Sequence, residues 1–552
     1  MAKKKQQNAD AKAVMVTKRL QALQAKREVW ESHWQECADY VAPRKADVTK
    51  QRTDGDKRTE LLFDSTALQA AELLAASLHG MLTNPATPWF SLRFKDSALD
   101  SDDEAREWIE GITEVMYGAF NRSNFAEAIH ELYHDLVVFG TGVLFVEQDP
   151  ESGVRFATRH IGECYVSEDG WGRVDTVYRR FTMPVRAIAE RFGRDNLPQS
   201  MQKRLERDAY EPATIVHAVM PRDEGDRDAY KIDAENKPFA SCYVDPEEKV
   251  LLSESGFDEF PYMVPRWKKS SFEIGYGRSP AMSSLPDIKM INKMSEVTIR
   301  AAQKQVDPPL MLPDDGFMLP IRTVPGGLNF YRSGTRDRIE PLNIGANNPL
   351  GLQMEEQRRQ AIRSSFFVDQ LILGQGPQMT ATEVVQRTEE KMRLLGPVLG
   401  RLQAELLQPL IARVFALLAK QGEFAPAPES MTGMELDIEY VSPLAKAQRA
   451  ADAQSGAQLF ELLAPIAQID QSILDYVDSD GLAKFMIRAL GIPAQMVRGE
   501  REVAQMRQQR AEQQAKAQQM AEMSQVAEAA GNAAPALRAV DETDVLGELQ
   551  AG

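Results

Sequence analysis

The sequence predicts an α+β chain that is mainly helical. Three observations carry this reading: long stretches whose apolar residues recur near every 3.6 positions, one interval over about 143–267 that alternates with period 2, and two helical stretches that bracket a compact, turn-rich insert. With 552 residues, 43% of them hydrophobic, three or four structural units is the natural division. Charged residues make up 26%, close to the globular average of about 25%, which excludes bulk disorder.

Residues 1–12 are polar and are expected to be disordered. A helix is predicted over 13–40, with Leu20, Leu23, Val29 and Trp30 near one stripe. A second runs from 65 to 81, with Asp64 as a candidate N-cap and Leu68, Ala71, Leu74, Ala75 and Leu78 as its apolar face; Asn84-Pro85 stops it. Helices over 102–122 and 124–139 complete an all-helical lobe. Gly140-Thr-Gly142 then switches the period, and Val143-Leu-Phe-Val146 opens the strand-rich region. Alternation at 174–181, an apolar run at 214–220 and turns at Asp169-Gly170 and Asp245-Pro-Glu-Glu248 support hairpins, with one helix over 184–192 among them.

Ser279-Pro280 reads as an N-cap followed by Pro at the first helical position, and the helical pattern persists to Val306. Asp307-Pro308-Pro309 ends it, because consecutive prolines remove backbone donors and fix the dihedral φ. Short strands and turns follow to about Asn343, and helix resumes over 349–368. After a loop at 373–379, Thr380-Ala-Thr-Glu383 forms a capping box that opens the longest helix, to about Lys420. At 1.5 Å per residue it is roughly 60 Å long, with kinks at Pro397 and Pro409. Its stripe is Leu394, Val398, Leu402, Leu406, Leu410, Val414 and Leu417. A linker over 422–433, a strand over 435–441, a helical cluster over 445–492 and an exposed Gln/Ala/Met-rich helix over 500–530 complete the chain, with a disordered end expected.

The net charge of −16 excludes a surface that grips nucleic acid throughout, since phosphate binding needs clustered Lys and Arg. It is compatible with letting DNA pass without adhesion. Cys37, Cys164 and Cys242 lie far apart with no CxxC pair, so neither a zinc ribbon nor a disulfide framework is expected. The N-terminus lacks the apolar core of a signal peptide. The longest apolar run, Leu136–Val146, falls short of the roughly 20 residues of a membrane span, so a soluble chain without membrane insertion is expected.

One motif offers catalysis. His130-Glu-Leu-Tyr-His134 fits the HExxH pattern, in which the two imidazoles share a helix face for zinc and Glu131 serves as base. Against a zinc metallopeptidase stands the lack of a recognisable third ligand; the plainer reading is a core helix with histidines flanking Ile129, Leu132, Leu136 and Val137. Gly275-Tyr-Gly277 and Gly374-Gln-Gly376 are lone fragments without the strand, helix and lysine of a phosphate loop. No catalytic residue, metal or cofactor is therefore expected.

A resemblance sharpens the reading. Phe63-Asp-Ser-Thr-Ala67, Leu74-Ala-Ala-Ser-Leu78, Leu82-Thr-Asn-Pro85, Trp89-Phe90 and Val138-Phe-Gly-Thr-Gly142 occur in order, followed by Gly275-Tyr-Gly-Arg-Ser-Pro280, Leu285-Pro-Asp-Ile288, Met379-Thr-Ala-Thr-Glu-Val384 and Leu395-Gly-Pro397. In order and spacing, over about 15–500, the chain resembles the head-to-tail connector (portal) proteins of short-tailed phages related to the T7 group. The resemblance implies a portal fold assembled as a ring: a wing over 13–279, stem helices at 280–306 and 349–370 around a clip at 307–348, a channel loop over 371–379, a long wing helix over 380–421, a linker over 422–434 and a crown with a C-terminal helix over 435–530, before a disordered tail at 531–552. A long C-terminal barrel is not expected.

The same resemblance implies twelve subunits at one capsid vertex of the virion, assembled in the host bacterial cytoplasm. Double-stranded DNA would pass through without sequence specificity. Implied partners are the terminase large subunit, the major capsid and scaffolding proteins, a tail adaptor and internal core or ejection proteins. Gly374, Gln375, Gly376, Pro377, Gln378 and Met379 would form the channel loop. Arg322, Arg332, Arg336 and Arg338 form either a solvated face or a basic rim on the clip, and Lys289, Lys293 and Lys304 are candidates to face the channel. A non-viral ring-forming scaffold of similar shape is the other non-enzymatic alternative.

Overall fold

The computed structural model describes all residues except 1, 51, 54, 96–102, 224, 226, 229, 232, 312–319, 323–327, 331–339, 343–348, 372–394, 429–435, 441–454, 460, 464, 466–477, 491–495, 499–501, 522 and 524–552. The described residues form two compact units, one of residues 1–90, 114–424 and 440–445, the other of 91–113, 425–439 and 446–552.

In the first unit, α1 (Ala2–Val41) lies across a five-stranded antiparallel sheet of β4 (Cys164–Glu168), β5 (Val174–Pro184), β6 (Pro212–Pro221), β7 (Phe239–Asp245) and β8 (Val250–Phe257), in that spatial order. Ala13, Val16 and Leu20 bury against Tyr165, Tyr178, Val216, Ala218 and Val244 of the sheet. The opposite sheet face is covered by α5 (Val185–Phe192) and α6 (Gln199–Arg207) through Ile188, Phe192 and Met201 packed on Ile215 and Leu252. Alternation puts successive side chains on opposite faces, so a sheet covered on both sides reads as nearly continuous apolar runs, as at 214–220.

Beside this sheet, α2 (Thr66–Leu82) and α4 (Phe125–Phe139) pack together, and β2 (Leu144–Asp149) pairs with β3 (Gly153–Thr158) and β9 (Tyr262–Met263). A helical hairpin follows. Its arms, α7 (Pro280–Val306) and α8 (Pro349–Ser365), bracket the paired dipeptides β10 (Leu310–Met311) and β11 (Glu340–Pro341), and α9 (Val368–Leu371) comes next. The last helix of the unit, α10, runs Leu395–Gln421 and includes a π turn over Gln403–Leu407. The second unit pairs β1 (Phe90–Phe94) with β12 (Leu436–Tyr440), with Arg93 and Asp437 ion-paired at 3.0 Å. It also holds part of α3 (Asp103–Arg122), α11 (Ser479–Leu490) and a helix over 502–521, whose Arg507 pairs with Asp480 of α11.

Several expectations are corrected. Residues 2–12 are helical rather than disordered; Lys12 is held by Glu254 of β8 at 2.8 Å, a partner 242 positions away. Val29 is 80% exposed and lies off the apolar stripe of α1. Residues 91–113 group with the C-terminal unit rather than with one wing, because β1 finds its partner strand near residue 438. Helix α6, with Met201 and Leu205 four positions apart, and strand β1, which alternates Phe90, Leu92 and Phe94 with Ser91 and Arg93, are additions to the expected elements. Finally, α10 is long and apolar enough to cross a membrane by length and composition. Its Leu402, Leu406, Leu410 and Val414 are fully buried and its Arg413 is ion-paired with Glu259, which is the pattern of a core helix. The π turn lies where the sequence expects a kink: Pro409 lacks an N–H and its ring crowds the carbonyl four residues back, at Glu405. The capping box at 380–383 and the disordered tail lie outside the described residues.

Candidate functional site

Two of the resembling motifs, 135 residues apart, meet backbone to backbone. Gly140 terminates α4 in the left-handed conformation, φ +76°, with its N–H on the Leu136 carbonyl at 3.0 Å. A Cβ there would fall 2.7 Å from backbone atoms of Arg278 and Ser279. The Gly140 carbonyl accepts from Trp267 N at 2.9 Å, and Thr141 Oγ1 accepts from Gly277 N at 2.8 Å. Ser279 completes the joint: its hydroxyl donates to the Val138 carbonyl at 2.8 Å and accepts from Met282 N at 2.9 Å, capping α7. Glycines at 140 and 277 are therefore needed for close approach, and the hairpin grows directly from this joint.

A third motif locks the hairpin base. Asn292, buried on α7, accepts the Phe63 and Asp64 N–H groups on its Oδ1 at 2.9 and 3.1 Å, and donates to the Ile288 carbonyl at 2.9 Å. Asp64 in turn takes Arg359 of α8 at 2.9 Å. Burial alone would push the Asp64 carboxyl up, but the Thr66 hydroxyl and amide and the Arg359 guanidinium outweigh it and hold the group below its usual range. Asp287 to Arg358 at 2.8 Å and Thr298 to Glu355 at 2.7 Å tie the two arms further along. Nearby, Arg266 is buried among carboxylates: it pairs with Glu168 and with Glu405 of the π turn, and Lys269 shares Glu168. The sequence flagged none of Asn292, Arg359, Arg266 or Glu405; the available signal was an Asn, a weak helix former, beside Ile291 inside a helix.

Residues 14–497 match the family described as bacteriophage head to tail connecting protein. The chain belongs to that family. It is 36% identical over 503 residues to the "Probable portal protein" of Bordetella phage BPP-1, covering 89% of this chain and 90% of the relative. It is 31% identical over 515 residues to the "Portal protein" of Salmonella phage epsilon15, covering 92% of each. A solved structure, the neck of an empty gene transfer agent particle, superposes with a TM-score of 0.35 at 11% identity, covering 83% of this chain and 99% of that one; a likeness of that size adds no argument. The head-to-tail connecting protein is thus a phage connector of the portal type.

On this connector, Lys289 pairs with Glu36 of α1 at 3.1 Å and Lys293 with Glu296 of its own helix at 2.9 Å, so both charges are largely answered within the chain. Lys304 is exposed near the end of α7 and has no ion pair among the described residues. Arg322 is exposed, with its backbone held by Asn329 at 2.6 and 2.9 Å; Arg332, Arg336 and Arg338 lie outside the described residues. So do Gly374, Gln375, Gly376, Pro377, Gln378 and Met379. The HExxH helix does not assemble a metal centre among the described residues. Glu131 is engaged by Lys45 at 2.8 Å, and burial lowers the pKa of His134. Cys37, Cys164 and Cys242 are free thiols, and burial pushes them up to about 12, 12 and 11.

Proposed function

We propose that copies of the chain close a ring of twelve at one capsid vertex of a short-tailed phage, and that double-stranded DNA enters and leaves the head through it. The helical hairpin carries this reading. Met290, Val297 and Ile299 on α7, with Leu352 and Met354 on α8, are large apolar side chains exposed on one chain whose hairpin base is rigidly locked. A row of such residues needs neighbours, and a closed rotational assembly supplies the same neighbour to every copy.

In this assembly α7 and α8 form the stem, and residues 307–348 the clip. The clip docks the terminase large subunit during filling and the tail adaptor afterwards, and the wing meets major capsid and scaffolding proteins. Internal core or ejection proteins stand on the head side. The loop at 374–379 offers DNA uncharged contacts, and Lys304 with the clip arginines supplies the few cations near its path. An acidic sleeve that neutralises few phosphates releases few counterions, so DNA slides rather than sticks. We assign the chain no chemical step. Native mass spectrometry tests the reading: twelve copies of a 61.7 kDa chain give about 740 kDa, and a chain that stays monomeric under assembly conditions overturns it.

A further inference from the structure

The five-stranded sheet has two edges, β4 and β8, about 19 Å apart at the usual strand spacing. They carry opposite chemistry. At the β4 edge the loop over 272–278 covers the outer side of the strand, with Tyr276 Oη accepting from Val166 N at 3.2 Å. Between this loop, β4 and α1 lies an open cleft of about 410 Å³, a size that takes an aromatic side chain with its flanking backbone. Its walls include Trp30 and Tyr276, and its lips are Val29, Phe272 and Ile274, exposed at 80%, 79% and 70%. Lys26, His33 and Arg278 line its rim. The one carboxylate in the described lining, Glu273, is taken by Arg278 at 2.5 Å, while Lys26 has no ion pair among the described residues.

At the β8 edge the connection from β6 to β7 folds over the strand: the Ala234 carbonyl and Lys237 abut Gly256 so closely that a Cβ there would lie 2.8 Å from Lys237 Cβ. By composition this connection is acidic, with Asp223, Glu224, Asp226, Asp228, Asp233 and Glu235 against Arg222, Arg227, Lys231 and Lys237, the last of which is ion-paired with Asp258 at 3.3 Å. Arg222 points inward onto Glu254 at 2.7 Å, which leaves the excess acidic. In its midst Tyr230 is 97% exposed, and it is held out on a built turn: Asp228 Oδ1 accepts from Tyr230 N at 3.2 Å, and Asn236 Oδ1 accepts from Asp228 N at 2.7 Å. An exposed tyrosine is among the residue types that anchor interfaces.

We infer that the cleft at the β4 edge receives Tyr230 and its acidic connection from the β8 edge of a second copy of this chain. Socket and knob on opposite edges of one sheet make a head-to-tail contact, the kind that propagates and closes into a ring. The inference rests on the ring reading above and names the surfaces that would carry it in the sheet region.

The test uses the full-length chain. Because the three native thiols are buried, Tyr230→Cys with Phe272→Cys supplies the exposed pair for a short bis-maleimide. A ladder of covalent multimers with the double variant, and none with either single variant, supports the contact. Tyr230→Ala should keep its far-ultraviolet circular dichroism and assemble on the order of thirtyfold more weakly, the loss a central aromatic anchor brings. A double variant that forms a closed ring by native mass yet yields no cross-linked ladder overturns these surfaces and leaves the ring intact. A wild-type chain that never assembles overturns the ring reading itself.

Discussion

Replacing Gly140 by Ala should unfasten the joint from which the hairpin grows. Two costs arise at this position. The left-handed φ of +76° costs an L residue about 1–2 kcal/mol, and the added methyl, 2.7 Å from backbone atoms of Arg278 and Ser279, forces a main-chain shift that overpacking data put at about 1–3 kcal/mol. The sum is about 3 kcal/mol. Gly277→Ala meets the same gap from the other side, its Cβ 2.7 Å from the Gly140 carbonyl and 2.9 Å from Arg266 Cβ, for about 2 kcal/mol. Since either methyl opens the same separation, the double variant should cost at least about 1 kcal/mol less than the two singles added together. Urea unfolding followed by tryptophan emission reads this directly, because Trp34 and Trp267 are buried and hydrogen-bonded to the carbonyls of Phe139 and Gly140. A Gly140→Ala chain within about 0.5 kcal/mol of wild type, or strict additivity in the double variant, would refute the close-approach argument.

Other outcomes follow from the same contacts. Asn292→Leu strands the Phe63 and Asp64 N–H groups and should destabilise by about 2–4 kcal/mol in the same urea assay, whereas Asn292→Asp, which keeps the acceptor, should lose less. Asp64 titrates below its ordinary value when folded, so its contribution is present above about pH 4 and is lost as pH falls through the folded pKa; Asp64→Asn should flatten that acid limb of the stability profile. Arg266→Met removes the guanidinium that Glu168 and Glu405 share, leaving Glu168 to Lys269 and Glu405 to Arg401, and should cost about 1.5–3 kcal/mol. Glu131→Gln removes one of the two carboxylates on Lys45 and should leave ring assembly by native mass unchanged; a lost proteolytic activity in this variant would instead revive the HExxH reading.

What the sequence made legible divides along a physical line. Features set by neighbours in the chain came through: the span of α7 with Ser279 as its cap, the end of α4 at Gly140, and the buried stripe of α10 from Val398 to Leu417. Each depends on local periodicity or capping, which a single sequence records. Features set by distant partners did not. The first turns of α1 look like a solvated tail until Glu254 is known to sit beside Lys12, and the five residues of β1 alternate as a strand would but have no visible partner until they meet β12. At the candidate site the motif residues were visible as a pattern, but no spacing rule says that 138–142 touches 275–280, or that Asn292 holds residues 63 and 64. Charge type was readable for Lys289 and Lys293, and their partners Glu36 and Glu296 were not singled out.

The reach of α1 also sets an order of events during synthesis. The helix leaves the ribosome first, yet its ion-pair partner Glu254 is made 242 residues later, and the sheet face that buries Ala13, Val16 and Leu20 is spread over residues 165–244. At bacterial elongation rates that interval is roughly 12 to 50 s. Throughout it the nascent chain carries an undocked apolar stripe, and the final docking closes a loop of some 240 residues against its chain entropy. Completion of β8 is thus the moment at which the sheet gains its last strand, and a ribosome stalled before residue 250 holds a chain whose oldest helix still lacks the Glu254 that anchors Lys12.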